Sequence, residues 1–95
     1  MTHYVLFKLK PEANADEVYA RMEQGFAEIA ATLEYFRNHQ LFRTCLNKPN
    51  NAEIMLKVEI DNPEQLQTYL DHPVHVKLAE YVQTVVEKKT PFDHM

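Results

Sequence analysis

Tyr69-Leu70-Asp71-His72-Pro73-Val74-His75-Val76-Lys77 is the stretch on which the reading of this chain turns. It closes one helix and opens another. Proline has a fixed φ and no N–H, so it fits the first turn of a helix, where that N–H would have no partner anyway. The residue before it, His72, is pushed toward extended geometry and suits a helix cap. His72 and Pro73 therefore read as a structural junction. Tyr69 and His75 are held on either side of it by defined backbone, and both are residue types that hold or move protons in enzymes.

On the N-terminal side of the junction, Asp61-Asn62-Pro63 opens a short helix running to about Leu70, with Pro63 at its first position. Before it, residues 53 to 60 alternate, with Ile54, Leu56, Val58 and Ile60 on one face and Glu53, Met55, Lys57 and Glu59 on the other. The turn formers Asn47-Lys48-Pro49-Asn50-Asn51 separate this strand from a less regular one expected over residues 40 to 47, which makes a hairpin. A helix is expected from about Asn14, which with Glu17 resembles a capping box. Val18, Met22, Phe26, Ile29, Leu33 and Phe36 form its apolar stripe. Gly25 inside that stripe costs about 1 kcal/mol relative to alanine. It marks a close approach, a neighbouring cavity, or simply a tolerated glycine. Residues 3 to 10 alternate as a strand that Pro11 ends.

On the C-terminal side, Pro73 begins a longer helix with Val74, Leu78, Tyr81, Val82 and Val85 on one face. In the tail from Lys88 to Met95, Thr90, Phe92 and His94 share one face of a last strand, which Pro91 confines to an edge or to partial pairing. The order β-α-β-β-α-α-β is an α+β, ferredoxin-like plan: a four-stranded antiparallel sheet with helices on one face. Val5, Phe7, Leu9, Leu56, Val58 and Ile60 are the expected core face. The other face carries Tyr4, Leu6, Lys8, Met55, Lys57 and Glu59, and is either solvated or set against its own copy.

Ninety-five residues make one domain, taken as residues 1 to 95, and a core this small would gain from association. The 45% hydrophobic and 25% charged composition argues against disorder. The net charge is −4 and no Lys/Arg cluster exceeds a pair, so a nucleic-acid partner lacks its electrostatic footprint. No apolar run approaches the roughly 20 residues that span a bilayer, and the first ten residues carry Lys8 and Lys10 and no signal-peptide core. The single cysteine, Cys45, allows no internal disulfide. These features point to a cytoplasmic protein without a membrane partner. Cys45 itself is read as a packing residue on a strand.

With this order in view, the chain resembles the stress-responsive dimeric α/β-barrel (Dabb) family. His3-Tyr4-Val5-Leu6-Phe7-Lys8-Leu9-Lys10 looks like that family's opening strand, Tyr69 to Val76 like its Y-x-x-H-P-x-H-V signature, and Phe92-Asp93 like its closing strand. The resemblance implies a homodimer in which two sheets close into a barrel, and a small-molecule cleft between sheet and helices in each subunit. His3, Val5, Phe7, Met22, Leu56 and Val58 are the residues expected to line that cleft. In one branch, the plant olivetolic acid cyclases, the acid/base tyrosine and histidine fall on Tyr69 and His75, and a further pocket histidine falls on His3. Where that branch has aromatics on the first helix, this chain has Arg21, Met22 and Gly25.

The chemistry such a pair supports follows from its place. As the third helical residue, His75 lies near free N–H groups and the positive end of the helix dipole, which disfavours imidazolium. A neutral imidazole accepts a proton at pH 7, and a tyrosine, titrating near 10, remains a donor. Together they suit proton abstraction beside a carbonyl, the phenol steadying the enolate. The same two side chains could instead lock the helix junction by bonding to each other or to backbone. Two functions of different class follow: a homodimeric binding protein whose cleft takes a small apolar or aromatic molecule, or a cofactorless cyclase, isomerase or lyase. Neither calls for a cofactor. His3, His72 and His75 could in principle hold zinc, but no carboxylate or cysteine has matching spacing, and no metal site is expected. His39 and His94 are read as surface residues.

Overall fold

The computed structural model describes residues 1–95. Its elements are β1 (Thr2–Leu9), α1 (Ala15–Thr32), β2 (Phe36–Arg43), β3 (Ile54–Ile60), α2 (Pro63–Leu70), α3 (Pro73–Val85) and β4 (Val86–His94). The order is the β-α-β-β-α-α-β of the ferredoxin-like plan. One antiparallel sheet carries the strands in the order β2-β3-β1-β4.

Local signals account for most boundaries. The Asn14 side chain accepts the Glu17 N–H and caps α1, and Asn62 does the same for α2 through Gln65 N–H. His72 caps α3, its Nδ1 accepting the Val74 N–H at 3.2 Å. Pro91 pairs opposite Val5 in β4, the edge strand, where a missing donor is tolerated.

Strand β2 departs from expectation. It begins at Phe36 and ends at Arg43, four residues earlier at each end than the sequence pattern suggests. Helix α1 stops at Thr32, where Leu33 takes an extended conformation. Leu33 and Phe36 prolong the helical stripe in sequence only, because both still pack into the same core. The weak alternation in β2 has a cause: its register with β3 slips between Arg37 and Gln40, and Asn38 sits at φ 53°. Thr44, Cys45 and Leu46 lie beyond the strand in a turn closed by the Thr44 hydroxyl on Leu46 N–H. Cys45 is therefore exposed rather than packed.

The helices cover one face of the sheet. Val5, Phe7, Leu9, Ile54, Leu56, Val58 and Ile60 face them and are buried, with Val18, Met22, Phe26 and Ile29 of α1 above. Gly25 is the close approach: a Cβ there would lie 2.9 Å from Leu78 Cδ2. His39 is half-buried against the Phe36 ring, and His94 is exposed and stacks on Tyr4. No helix is long and apolar enough to cross a membrane.

Met22 is completely buried at the centre of this layer. Met22→Ala is expected to cost about 2–5 kcal/mol through lost burial and a residual cavity. Urea denaturation reads this directly: the midpoint should fall with the slope unchanged, and an unmoved midpoint would place Met22 outside the core.

Candidate functional site

A cavity of about 270 Å³ opens between the sheet and the C-terminal helices. His3, Val5, Phe7 and Leu56 form its floor, Phe26 one wall, and Tyr69, His75, Leu78 and Val82 the roof. Lys89, Pro91 and Asp93 of β4 complete it along the sheet edge. The surroundings are mostly apolar, so each polar group in it counts.

Of the residues expected to line a cleft, His3, Val5, Phe7 and Leu56 do so. Met22 and Val58 do not. Met22 is covered, and Phe26, one turn further along α1, takes its place on the wall. Val58 lies level with His3 in the sheet and is completely enclosed. His72 and Pro73 sit at the junction as read, outside the cavity wall. Sequence reasoning missed Lys89 and Asp93. Their signal was present in outline, because Thr90, Phe92 and His94 on one face put Lys89, Pro91 and Asp93 on the other. Only the β1–β4 register, with His3 opposite Asp93 and Phe7 opposite Lys89, places them in the cavity.

Tyr69 lies in the last turn of α2 and is 1% exposed. Its hydroxyl has no hydrogen-bond partner in the protein, yet it is not among the polar atoms sealed away from space. Burial raises its pKa far above the ordinary value of 10.0, so the phenol stays protonated at any physiological pH. The ring meets His75 edge-on at 4.6 Å between centroids and Phe36 at 4.9 Å.

His75 lies in the first turn of α3. Its Nδ1–H donates to the Leu70 carbonyl at 2.9 Å. A carbonyl can only accept, so the proton is on Nδ1 and Nε2 is the unengaged nitrogen of the neutral ring. Burial lowers the pKa below 6.5, the Leu70 carbonyl pulls it partly back, and the charges of Lys89, His3 and His72 lower it further. Desolvation, the leading cause, and the helix dipole act in the same direction, away from imidazolium.

His3 is 5% exposed, the one buried polar residue of the chain. Its Nδ1 lies 2.5 Å from Asp93 Oδ1, so the Nδ1–H donates to the carboxylate and Nε2 is left over. Its ring sits 6.2 Å from that of Tyr69. The cavity thus holds two imidazoles, each tethered through Nδ1, and one unpartnered phenol. Such a set can accept a proton at one point and donate a hydrogen bond at another. His3, His72 and His75 are not gathered into a metal-ligating group.

Fold and cavity together define a class: a split β-α-β domain whose helices roof a small apolar chamber on one side of the sheet. Residues 1–95 match the family model of the stress responsive A/B barrel domain, Dabb, and the chain belongs to that family. A dimeric protein of unknown function with a ferredoxin-like fold from Bacteroides fragilis is 26% identical, with 98% of this chain and 92% of that one covered at a TM-score of 0.76. A Dabb family protein from Mesorhizobium loti is 20% identical over 99% and 93% of the two chains, with a TM-score of 0.73. Hydroxynitrile lyase from Passiflora edulis shares the fold at a TM-score of 0.80 and only 7% identity, over 98% of this chain and 89% of its own. The comparison with curated proteins finds no match.

The lowered pKa of His75 gives a signed prediction. Below about pH 6.5 the unfolded histidine takes a proton that the folded one refuses, so stability is complete above that pH and falls as the pH drops through it. Urea midpoints compared near neutrality and near pH 5 should show this loss in the parent. The loss should be smaller in His75→Asn, which keeps an N–H near the Leu70 carbonyl but cannot titrate. Identical pH dependence in both proteins would contradict it.

Proposed function

We propose that this chain, a single domain over residues 1 to 95, is a homodimeric, cytoplasmic small-molecule-binding protein of the Dabb family, with the chamber between sheet and helices as its ligand site. The observation that carries the reading is the company Tyr69 keeps. Tyr69 is 1% exposed, yet its hydroxyl has no hydrogen-bond partner in the protein and is not sealed away, so beside an apolar chamber it is free to serve a ligand as a donor. His75 and His3 add two free ring nitrogens to the same space. The test is a thermal-shift screen of carbonyl-bearing aromatic and aliphatic compounds, since a ligand selective for the native state raises its melting point. A hit should lose its effect in Tyr69→Phe, and no hit among chamber-sized compounds would count against the reading.

Catalysis is the second reading, and one specific feature favours it. Tyr69 and His75 bond neither to each other nor to a common group, so a donor and a neutral acceptor remain available beside one space. With a substrate carbonyl bonded to the Tyr69 hydroxyl, the neutral His75 Nε2 is the base to which its adjacent C–H would pass a proton. The resulting class is a cofactorless cyclase, isomerase or lyase. Once a turned-over substrate is found, His75→Ala should lower its kcat by about 10²–10⁴. An unchanged rate would leave binding as the whole function.

The dimer rests on the outer sheet face. Leu6, Met55 and Phe42 lie abreast across three strands, and Tyr4 lies beside Phe92. Leu6 and Phe42 are each 41% exposed and Phe92 63%. Apolar side chains in adjoining rows are costly to leave in water, and a second copy of the same face would cover them. The Bacteroides relative is itself described as dimeric. Sedimentation at micromolar concentration should give a species of about twice 11.2 kDa. Leu6→Glu should shift it toward the monomer mass, and a parent protein sedimenting as a monomer would refute the pairing.

A further inference from the structure

We infer that the chamber is built for an anionic, otherwise apolar molecule, a small carboxylic acid, whose charged end is held by Lys89. The inference rests on the chamber being a ligand site and adds the chemical class and orientation of what enters it.

The charges around the chamber do not cancel locally. Tyr69 is a neutral phenol and His75 a neutral imidazole under physiological conditions. Asp93 is committed to His3, whose Nδ1–H it accepts at 2.5 Å. Lys89 has no such counterpart. The ion pairs of the protein join His3 to Asp93, Lys8 to Glu53, Arg37 to Asp61 and Arg43 to Asp16, and leave Lys89 out. Glu87, two residues earlier on the same strand, does not come within ion-pair distance of it. Lys89 is exposed at the mouth of the apolar chamber, near enough to depress His75, and is the one cationic side chain on the chamber's lining, without an ion-pair partner.

The strand also gives the chamber a direction. Asp93 pairs opposite His3 and Lys89 opposite Phe7. Four residues of strand separate them, about 13 Å at the usual rise. One end of the chamber therefore carries a carboxylate and the other an ammonium. A ligand anion is drawn to the Lys89 end and repelled from the Asp93 end. Its apolar body then lies along Val5, Phe7 and Leu56, toward the Asp93 end. The aliphatic stem of Lys89 can lie along the same apolar wall while its ammonium stays at the mouth.

A matched pair of probes separates this inference from the reading on which it rests. Octanoate and octanamide share length and shape and differ in charge. Isothermal titration should show octanoate binding the parent protein at least about fivefold more tightly than octanamide. Lys89→Met should remove that preference by weakening octanoate alone, and Lys89→Arg should restore most of it. Raising the salt concentration should weaken octanoate and spare octanamide. If both probes bind the parent equally, or if Lys89→Met leaves the octanoate preference intact, the anion assignment fails and the apolar chamber stands. If neither probe binds, the chamber reading falls and this inference falls with it.

Discussion

The geometry of the chamber roof depends on the chain being broken between Asp71 and Pro73. Residues 69 and 75 are six apart. On an unbroken α-helix they would be rotated by about 120° and separated by about 9 Å along the axis, on different faces. The break brings their rings to 4.6 Å. It also reassigns hydrogen bonds. In a continuous helix the Leu70 carbonyl would accept the Val74 N–H. Here His72 takes that N–H through its side chain, and the freed carbonyl of Leu70 accepts from His75 instead. The proline thus decides more than direction. By holding His72 extended as the cap that takes the Val74 N–H, it leaves the Leu70 carbonyl free to fix the tautomer of the histidine two residues later.

Burial then gives these groups their character. A phenol and an imidazole in water would titrate near 10 and 6.5, and the second would be partly charged under mildly acidic conditions. In the chamber, desolvation moves both away from ionisation, the tyrosine upward and the histidine downward. Both become neutral hydrogen-bonding groups of opposite polarity. The His3–Asp93 pair is arranged differently, with the carboxylate 38% exposed and the imidazole almost covered. One imidazole is tethered to a neutral carbonyl and the other to a carboxylate, and both leave Nε2 free beside the same space.

Much of the fold was legible because its signals are local. Alternation in β1 and β3, asparagine caps on α1 and α2, and the two prolines that open α2 and α3 each act within a few residues. The junction pair Tyr69 and His75 was legible for the same reason. What sequence pattern missed depends on register or on tertiary packing. The bulge in β2 near Asn38 hides its alternation, and the continuing apolar spacing through Leu33 and Phe36 cannot report that the helix has ended. Asp93 and Lys89 became visible only once β4 was paired with β1, since a single residue of slip would turn both away from the helices. Met22 and Val58 were assigned to the wall on the strength of the correct face. Face alone does not tell the floor of a cavity from the solid core beside it.

Gly25 packs behind Leu78, a residue of the chamber lining. A side chain there would strike Leu78, whose terminal carbons come within 2.9 and 3.2 Å of the place a Cβ would occupy. Leu78 has the chamber on its other side. With glycine at 25, the leucine can lean toward α1 and leave the space beneath Tyr69 and His75 unfilled. The cost is about 1 kcal/mol of helix propensity. An alanine would recover that energy only by pressing Leu78 toward the chamber, where there is room for it to go. The residue with no side chain thus bears on the chamber only through Leu78.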